Sequence, residues 1–168
     1  MIMPKSAYRL TEKMLRDQWV MVPRAEQRLF EAQARAAQIT APATDAVNVK
    51  GSGGGSRAER AALAILAAEK RLETARAWRE AIRLTDKAFP WESTPEGVLA
   101  GYLYGNGLNL AEAARAAGCS YKTAQRLRDN YVGHCAIFAA SMGLIRFEEE
   151  RECIASETEK ERPMKNSP

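Results

Sequence analysis

Lys122, Gln125 and Arg126 place an ammonium, an amide and a forked guanidinium within one short stretch of the 168-residue chain. Each type suits a distinct task against a nucleic-acid duplex. Arginine forks onto O6 and N7 of guanine, and glutamine pairs both hydrogen-bonding edges of adenine. Lysine, here with the Ser120 and Thr123 hydroxyls, holds phosphate near the start of a helix. Tyr121 falls on the same side, since residues three and four apart share a helix face. Asp129 repels phosphate, and its expected role is to orient Arg126, three residues before it on that face. Acceptance from a cytosine amino group is the alternative. The bland reading of the same residues is the solvated polar face of an alanine-rich helical hairpin.

These side chains need two short helices meeting at a corner, and LAEAARAAGCSYKTAQRLRD, Leu110 to Asp129, has the spacing for it. Asn109 is placed to cap a helix over Ala111 to Ala117, with Glu112 completing a capping box. Gly118 ends that helix, because glycine adopts the left-handed backbone of a sharp turn without cost from a Cβ. Ser120 then caps the second helix. Close helix approach explains the small residues Ala113, Ala114 and Ala117, and a shared core explains Cys119, Ala124, Leu127 and Tyr131. Tyr121, Lys122, Gln125, Arg126 and Asp129 are left pointing outward.

Alanine-rich composition, few aromatics and no β-branched runs predict an all-α protein. No apolar stretch approaches the roughly 18 residues of a membrane span, and a hydrophobic signal core is not seen at the start, so a cytoplasmic location and no membrane partner are expected. Cys119, Cys135 and Cys153 are odd in number and never form a CxxC pair, which argues against a disulfide framework or a zinc site. His134 has no acidic or histidine partner at ligand spacing, so a solvent-facing or capping role is expected and no metal. GSGGGS lacks the preceding strand and the terminal Lys-Ser/Thr of a phosphate-binding loop. With no nucleophile set around a histidine, neither catalysis nor a cofactor is expected. The formal charge is +4, and it is uneven: seven basic and four acidic residues over 1–40, eight and five over 57–89, five and four over 90–147, but four and seven over 148–168. A basic body suits phosphate attraction.

Along the chain, an N-terminal helical arm is expected over 1–39, with apolar Leu10, Met14, Leu15, Trp19, Val22, Leu29 and Phe30 and a kink or short break near Met21 and Val22 imposed by Pro23. Residues 40–56 read as a flexible glycine-serine linker. Ser56 and Glu59 begin a second long helix over 57–89, whose seam of Ala58, Ala61, Ile65, Ala68, Leu72, Ala75 and Ile82 steps by three and four, with Arg79 as an exception. The two long helices are expected to pair in a coiled-coil-like hairpin, within one chain or as a homodimer. Residues 90–147 form the expected helix-turn-helix domain. Its first helix starts at Ser93-Thr94-Pro95-Glu96, carries Val98, Leu99, Tyr102 and Leu103, and ends at Gly105-Asn106-Gly107. Ala136, Phe138, Ala139, Met142 and Leu144 extend the apolar face beyond the reader, and residues 148–168 read as an acidic, disordered tail.

In order of parts, YRLTEKMLRDQW, then VKGSGGGSRAERA opening a long helix, then YLYGNGLNLAEAARAAGCSYKTAQRLRDNYVGHCA, the chain resembles phage late transcriptional regulators of the RinA and ArpU type over Tyr8 to Leu144. The last segment resembles the helix-turn-helix of sigma-factor region 4. The resemblance implies duplex-DNA binding near a promoter, activation of packaging or lysis genes, and contact with host RNA polymerase. Departures are the glycine-rich Tyr104-Gly105-Asn106-Gly107, the interruption at Pro23 and the acidic tail. Two other readings stand beside it: a small terminase subunit, which also joins a helix-turn-helix to oligomerising helices, and a helical interaction module that binds no DNA.

Overall fold

Pro23 has no amide proton to give to the carbonyl four residues back, and the chain breaks before reaching it. The computed structural model describes residues 3–40 and 56–146. The expected linker between them, the expected tail and Cys153 lie outside the described residues. Helix α1, Lys5–Arg16, ends in a turn over residues 17–20, and α2, Met21–Thr40, starts beyond it. Pro23 therefore sits in the first turn of α2, where its missing N–H has no intrahelical partner to lose. Of the expected kink or short break near Met21 and Val22, the structure shows the break, over residues 17–20 and ending at Met21. Ala7, Thr11 and Leu15 form the buried stripe of α1. The Thr11 hydroxyl, fully buried, donates to the Ala7 carbonyl at 2.9 Å. Leu10, Trp19 and Phe30, expected in the apolar face, are exposed instead, Phe30 by 71%.

Ser56 Oγ accepts from the Glu59 amide at 3.2 Å and opens the 32-residue α3, Arg57–Ala88. The first half of α3 follows the expected seam: Ala68 and Leu72 are buried, while Ala61, Ile65 and Ala75 are half-buried, although Ala58 is exposed. This half packs along α2, with Leu72 against Val22 and Ala25. The Arg76–Glu26 ion pair, 3.4 Å, links the second half of α3 to the start of α2, so the two helices run antiparallel. Beyond Ala75 the partner changes and so does the buried face. Trp78, Ala81, Ile82 and Thr85 turn inward, and Arg79, which stands where a continued seam would put an apolar residue, is exposed.

The remaining helices are α4, Pro95–Ala100, continuing into a π-helical turn over Gly101–Gly105, then α5, Leu110–Ala116, and α6, Tyr121–Ser141. Thr94 Oγ1 caps α4 by accepting from the Gly97 amide at 3.1 Å. Gly97 is required by close approach: a Cβ there would lie 2.7 Å from the Pro90 carbonyl oxygen. The turn closes with the Asn106 amide donating to the Gly101 carbonyl at 3.0 Å, five residues back. Helix α6 is packed on two sides. Ala124, Leu127, Tyr131, Val132 and Cys135 share one core with Leu99 and Leu103 of the α4 segment, Ala113 and Ala114 of α5, Leu15 of α1 and Ile82 of α3. Ala136 and Ala139 meet Ala7, Trp78, Ala81 and Ile145 in a second cluster. Among the described residues there are helices and turns and no strand, so the fold class is all-α. None of these helices is long and apolar enough to cross a membrane.

Candidate nucleic-acid interface

The corner before α6 is built by local hydrogen bonds. Asn109 Oδ1 accepts from the Glu112 amide, and Glu112 Oε2 accepts from the Asn109 amide, both at 3.0 Å, a complete capping box. Gly118 has φ of +65°, the left-handed region that L-residues with a Cβ resist. Its amide donates to the Arg115 carbonyl at 3.1 Å, and the Cys119 amide to the Ala114 carbonyl at 3.0 Å, satisfying the end of α5. Ser120 Oγ then accepts from the Thr123 amide at 3.1 Å and starts α6. All seven residues expected at the contact, Ala113, Ala114, Ala117, Cys119, Ala124, Leu127 and Tyr131, lie in or against the same core. The α5 boundaries differ from the expected 111–117 by one residue, within the ordinary fraying of helix ends.

With that side of α6 buried, Tyr121, Lys122, Gln125, Arg126 and Asp129 are exposed. Tyr121 is 58% exposed, a large aromatic ring held in solvent beside three polar side chains. Ser120 and Thr123 lie at the helix start with their hydroxyls 2.8 Å apart. Ser120 is exposed and Thr123 half-buried. The first turns of α6 thus bring together an ammonium, an amide, a guanidinium and a hydroxyl pair at a positive helix end. Such a set can meet phosphates and base edges.

Asp129 does not orient Arg126. Its Oδ1 accepts from Arg128 Nε at 3.0 Å and Nη2 at 2.8 Å, and from the Tyr8 hydroxyl of α1 at 2.6 Å. The Arg128 guanidinium also lies over the Tyr8 ring, 5.8 Å from its centroid. Burial, and then the hydrogen bond to Asp129, hold the Tyr8 phenol well above its usual range, so it remains a donor. This cluster ties α1 to α6 and closes the exposed face at its C-terminal side: beyond it Val132 and Ala136 are fully buried. Sequence reasoning missed Tyr8 and Arg128. Tyr8 lies 121 residues from Asp129 along the chain, and no local pattern marks the pair.

His134 is half-buried, not solvent-facing. Its Nδ1 is 3.0 Å from the Asn130 carbonyl oxygen, and its ring meets Phe89 edge-on with centroids 4.8 Å apart. Cys119 packs against the core, and Cys135 is buried within it. Among the described residues no group of three or more His, Cys, Asp or Glu side chains could hold a metal ion. No protein-family model, no curated protein and no solved structure matches this chain.

Proposed function

We propose that the chain is a sequence-specific duplex-DNA-binding regulator of transcription, with α5 and α6 as a helix-turn-helix and α6 as the reading helix. The observation that carries this is the isolation of Lys122, Gln125 and Arg126 on an exposed face whose angle is set by the capping box, Gly118 and the Ser120 cap. In this reading Arg126 and Gln125 meet base edges, and Lys122 with Ser120 and Thr123 meets phosphate. Tyr121 supplies apolar contact near the backbone, and Asp129 holds Arg128 and Tyr8 instead of touching DNA. The resemblance to RinA and ArpU-type regulators adds the context: activation of phage late genes together with host RNA polymerase, in the cytoplasm of a bacterial host.

Self-association through the long helices belongs to the same reading. Phe30 of α2 and Leu63 and Leu66 of α3 are exposed apolar residues on the arm. They equally suit the small-terminase alternative, which light scattering separates. A dimer fits the regulator, whereas a ring of many subunits fits the packaging adaptor. The direct test of the DNA reading is equilibrium binding of the full chain to duplexes from its own genome. Lys122→Ala with Arg126→Ala is expected to weaken binding at least tenfold and flatten its salt dependence. Unchanged affinity in the double variant would remove α6 as the reader.

A further inference from the structure

Arg28 and Arg35 of α2 and Arg57, Arg60 and Arg71 of α3 line one groove of about 630 Å³ between the two helices. We infer that this groove is a second duplex-DNA site, one that grips the phosphate backbone without reading sequence; the inference rests on the reading of α6 as a DNA reader and extends the same ligand along the arm. Five guanidinium groups face a single acid, Glu31, and that carboxylate accepts from Gln27 at 3.1 Å. Among the described residues, Arg28, Arg35, Arg57 and Arg71 have no carboxylate within ion-pair distance. Four arginines outside the groove do find one: Arg16 pairs with Glu12, Arg76 with Glu26, Arg83 with Glu80 and Arg128 with Asp129. Arg28, Arg35, Arg57 and Arg71 therefore hold positive charge that no described carboxylate neutralises.

Concentrating like charge in a groove costs energy unless an anion answers it, and the guanidinium fork is matched to phosphate oxygens. Arg57 sits in the first turn of the 32-residue α3, where the helix dipole adds to the attraction. The floor supports close approach, since Ala64 and Ala68 present no more than a methyl group each.

The shape of the charged surface selects a linear polyanion. A neighbouring depression of about 330 Å³ shares Arg28 and Arg71 and adds Lys13 and Arg24, with Asp17 as its one acid. The track so formed runs from α1 to the start of α3. From Arg57 to Trp78 it follows α3 for about 31 Å at ~1.5 Å per residue, the length of about nine phosphate steps at ~3.4 Å. At its α1 end it reaches the helix that Tyr8 ties to Asp129 of the reading helix. A small anion would need one end of this surface, whereas a duplex would span it. The exposed Phe30 does not compete for the space. Arg28 and Phe30 flank the half-buried Leu29 on opposite sides of α2, so the apolar and arginine flanks are separate.

The test uses the full chain and fluorescently labelled duplexes of about 30 base pairs, one selected for tight binding and one scrambled, titrated between about 50 and 200 mM salt. Arg35→Ala, Arg57→Ala and Arg60→Ala together remove three exposed charges from the groove, and circular dichroism checks that the fold is kept. The triple variant is expected to bind both duplexes more weakly by a similar factor. Its log-affinity against log-salt slope should be shallower by about two to three, and the preference for the selected duplex should persist. The matching triple lysine variant should keep most of the slope. Unchanged affinity and slope in the alanine variant, while Lys122→Ala with Arg126→Ala still weakens binding, would overturn the groove and leave the reader standing. The reverse pattern would keep the groove and overturn the reader. No binding of either duplex by the unaltered chain at low salt would overturn both.

Discussion

At the scale of residues, the outward set on α6 was legible because it depends only on helical periodicity and on which neighbours are apolar. Its polar connections were not. Asp129 was expected beside Arg126 on the strength of spacing alone, yet a tyrosine from the far end of the chain and the adjacent Arg128 claim it. Hydrogen bonds across distant elements have no period, so sequence spacing cannot find them. The buried aromatic and thiol groups make a prediction of their own. Burial raises the Tyr104 phenol, whose buried hydroxyl has no partner among the described residues. Burial together with the hydrogen bond to Asp86 raises Tyr131, and burial pushes the Cys135 thiol up to about 12 against a hydrogen bond with Thr85. Tyr8 shifts the same way. In each case the folded chain keeps a proton that the unfolded chain releases. The stabilisation is complete below the unfolded values, about 9 for cysteine and 10 for tyrosine, and is lost as pH rises through the folded ones. Thermal melts at constant ionic strength should be level from pH 7 to about 9 and fall steeply toward pH 11. A melting temperature unchanged at pH 11 would show that these groups reach solvent in the folded chain.

At the scale of elements, local chemistry was decisive where it was strongest. Asn109, Glu112, Gly118 and Ser120 act within three or four residues of their partners, and each was found where the sequence put it. Pro23 was recognised as a disruption, but the break fell at residues 17–20 because proline is tolerated in a first turn and the chain had to stop before it. The seam of α3 held at Ile82 but missed Trp78, Ala81 and Thr85: a heptad assumes one partner helix, and beyond Ala75 α3 changes partner from α2 to α6, which brings in Trp78. Gly97 gave no signal, since its need arises from the backbone of Phe89 and Pro90 pressed against it. The corner offers a clean mutation. A Cβ at Gly118 would meet nothing within 4 Å, so a substitution there is opposed by backbone conformation alone. Gly118→Val is expected to cost on the order of 1 kcal/mol or more in urea unfolding, while Gly118→Asn, which tolerates positive φ, costs less. Equal stability of the valine variant and the unaltered chain would mean that the turn is not held at that residue.

At the scale of the whole molecule, the all-α class was readable from composition and periodicity, while the sharing of the core was not. Leu15 and Ile82, from helices expected to belong to an arm, are buried with Leu99 of α4 and Ala124 and Val132 of α6. The arm is therefore anchored in the same core that holds α6, and α1 limits how much of α6 is exposed. The arginine groove on the arm and the polar face of α6 are two surfaces tied to that shared core, and the proposal gives one the task of holding a duplex and the other of reading it. The measurement that bears most directly on this account is selection of bound sequences from a random duplex pool, with the unaltered chain and with Gln125→Ala and Arg126→Ala. The unaltered chain should recover one recurrent motif, and each variant should lose preference at a different position in it, by about 1–3 kcal/mol. Recovery of the same motif by all three proteins, or of no motif by the unaltered chain, would contradict sequence reading by α6.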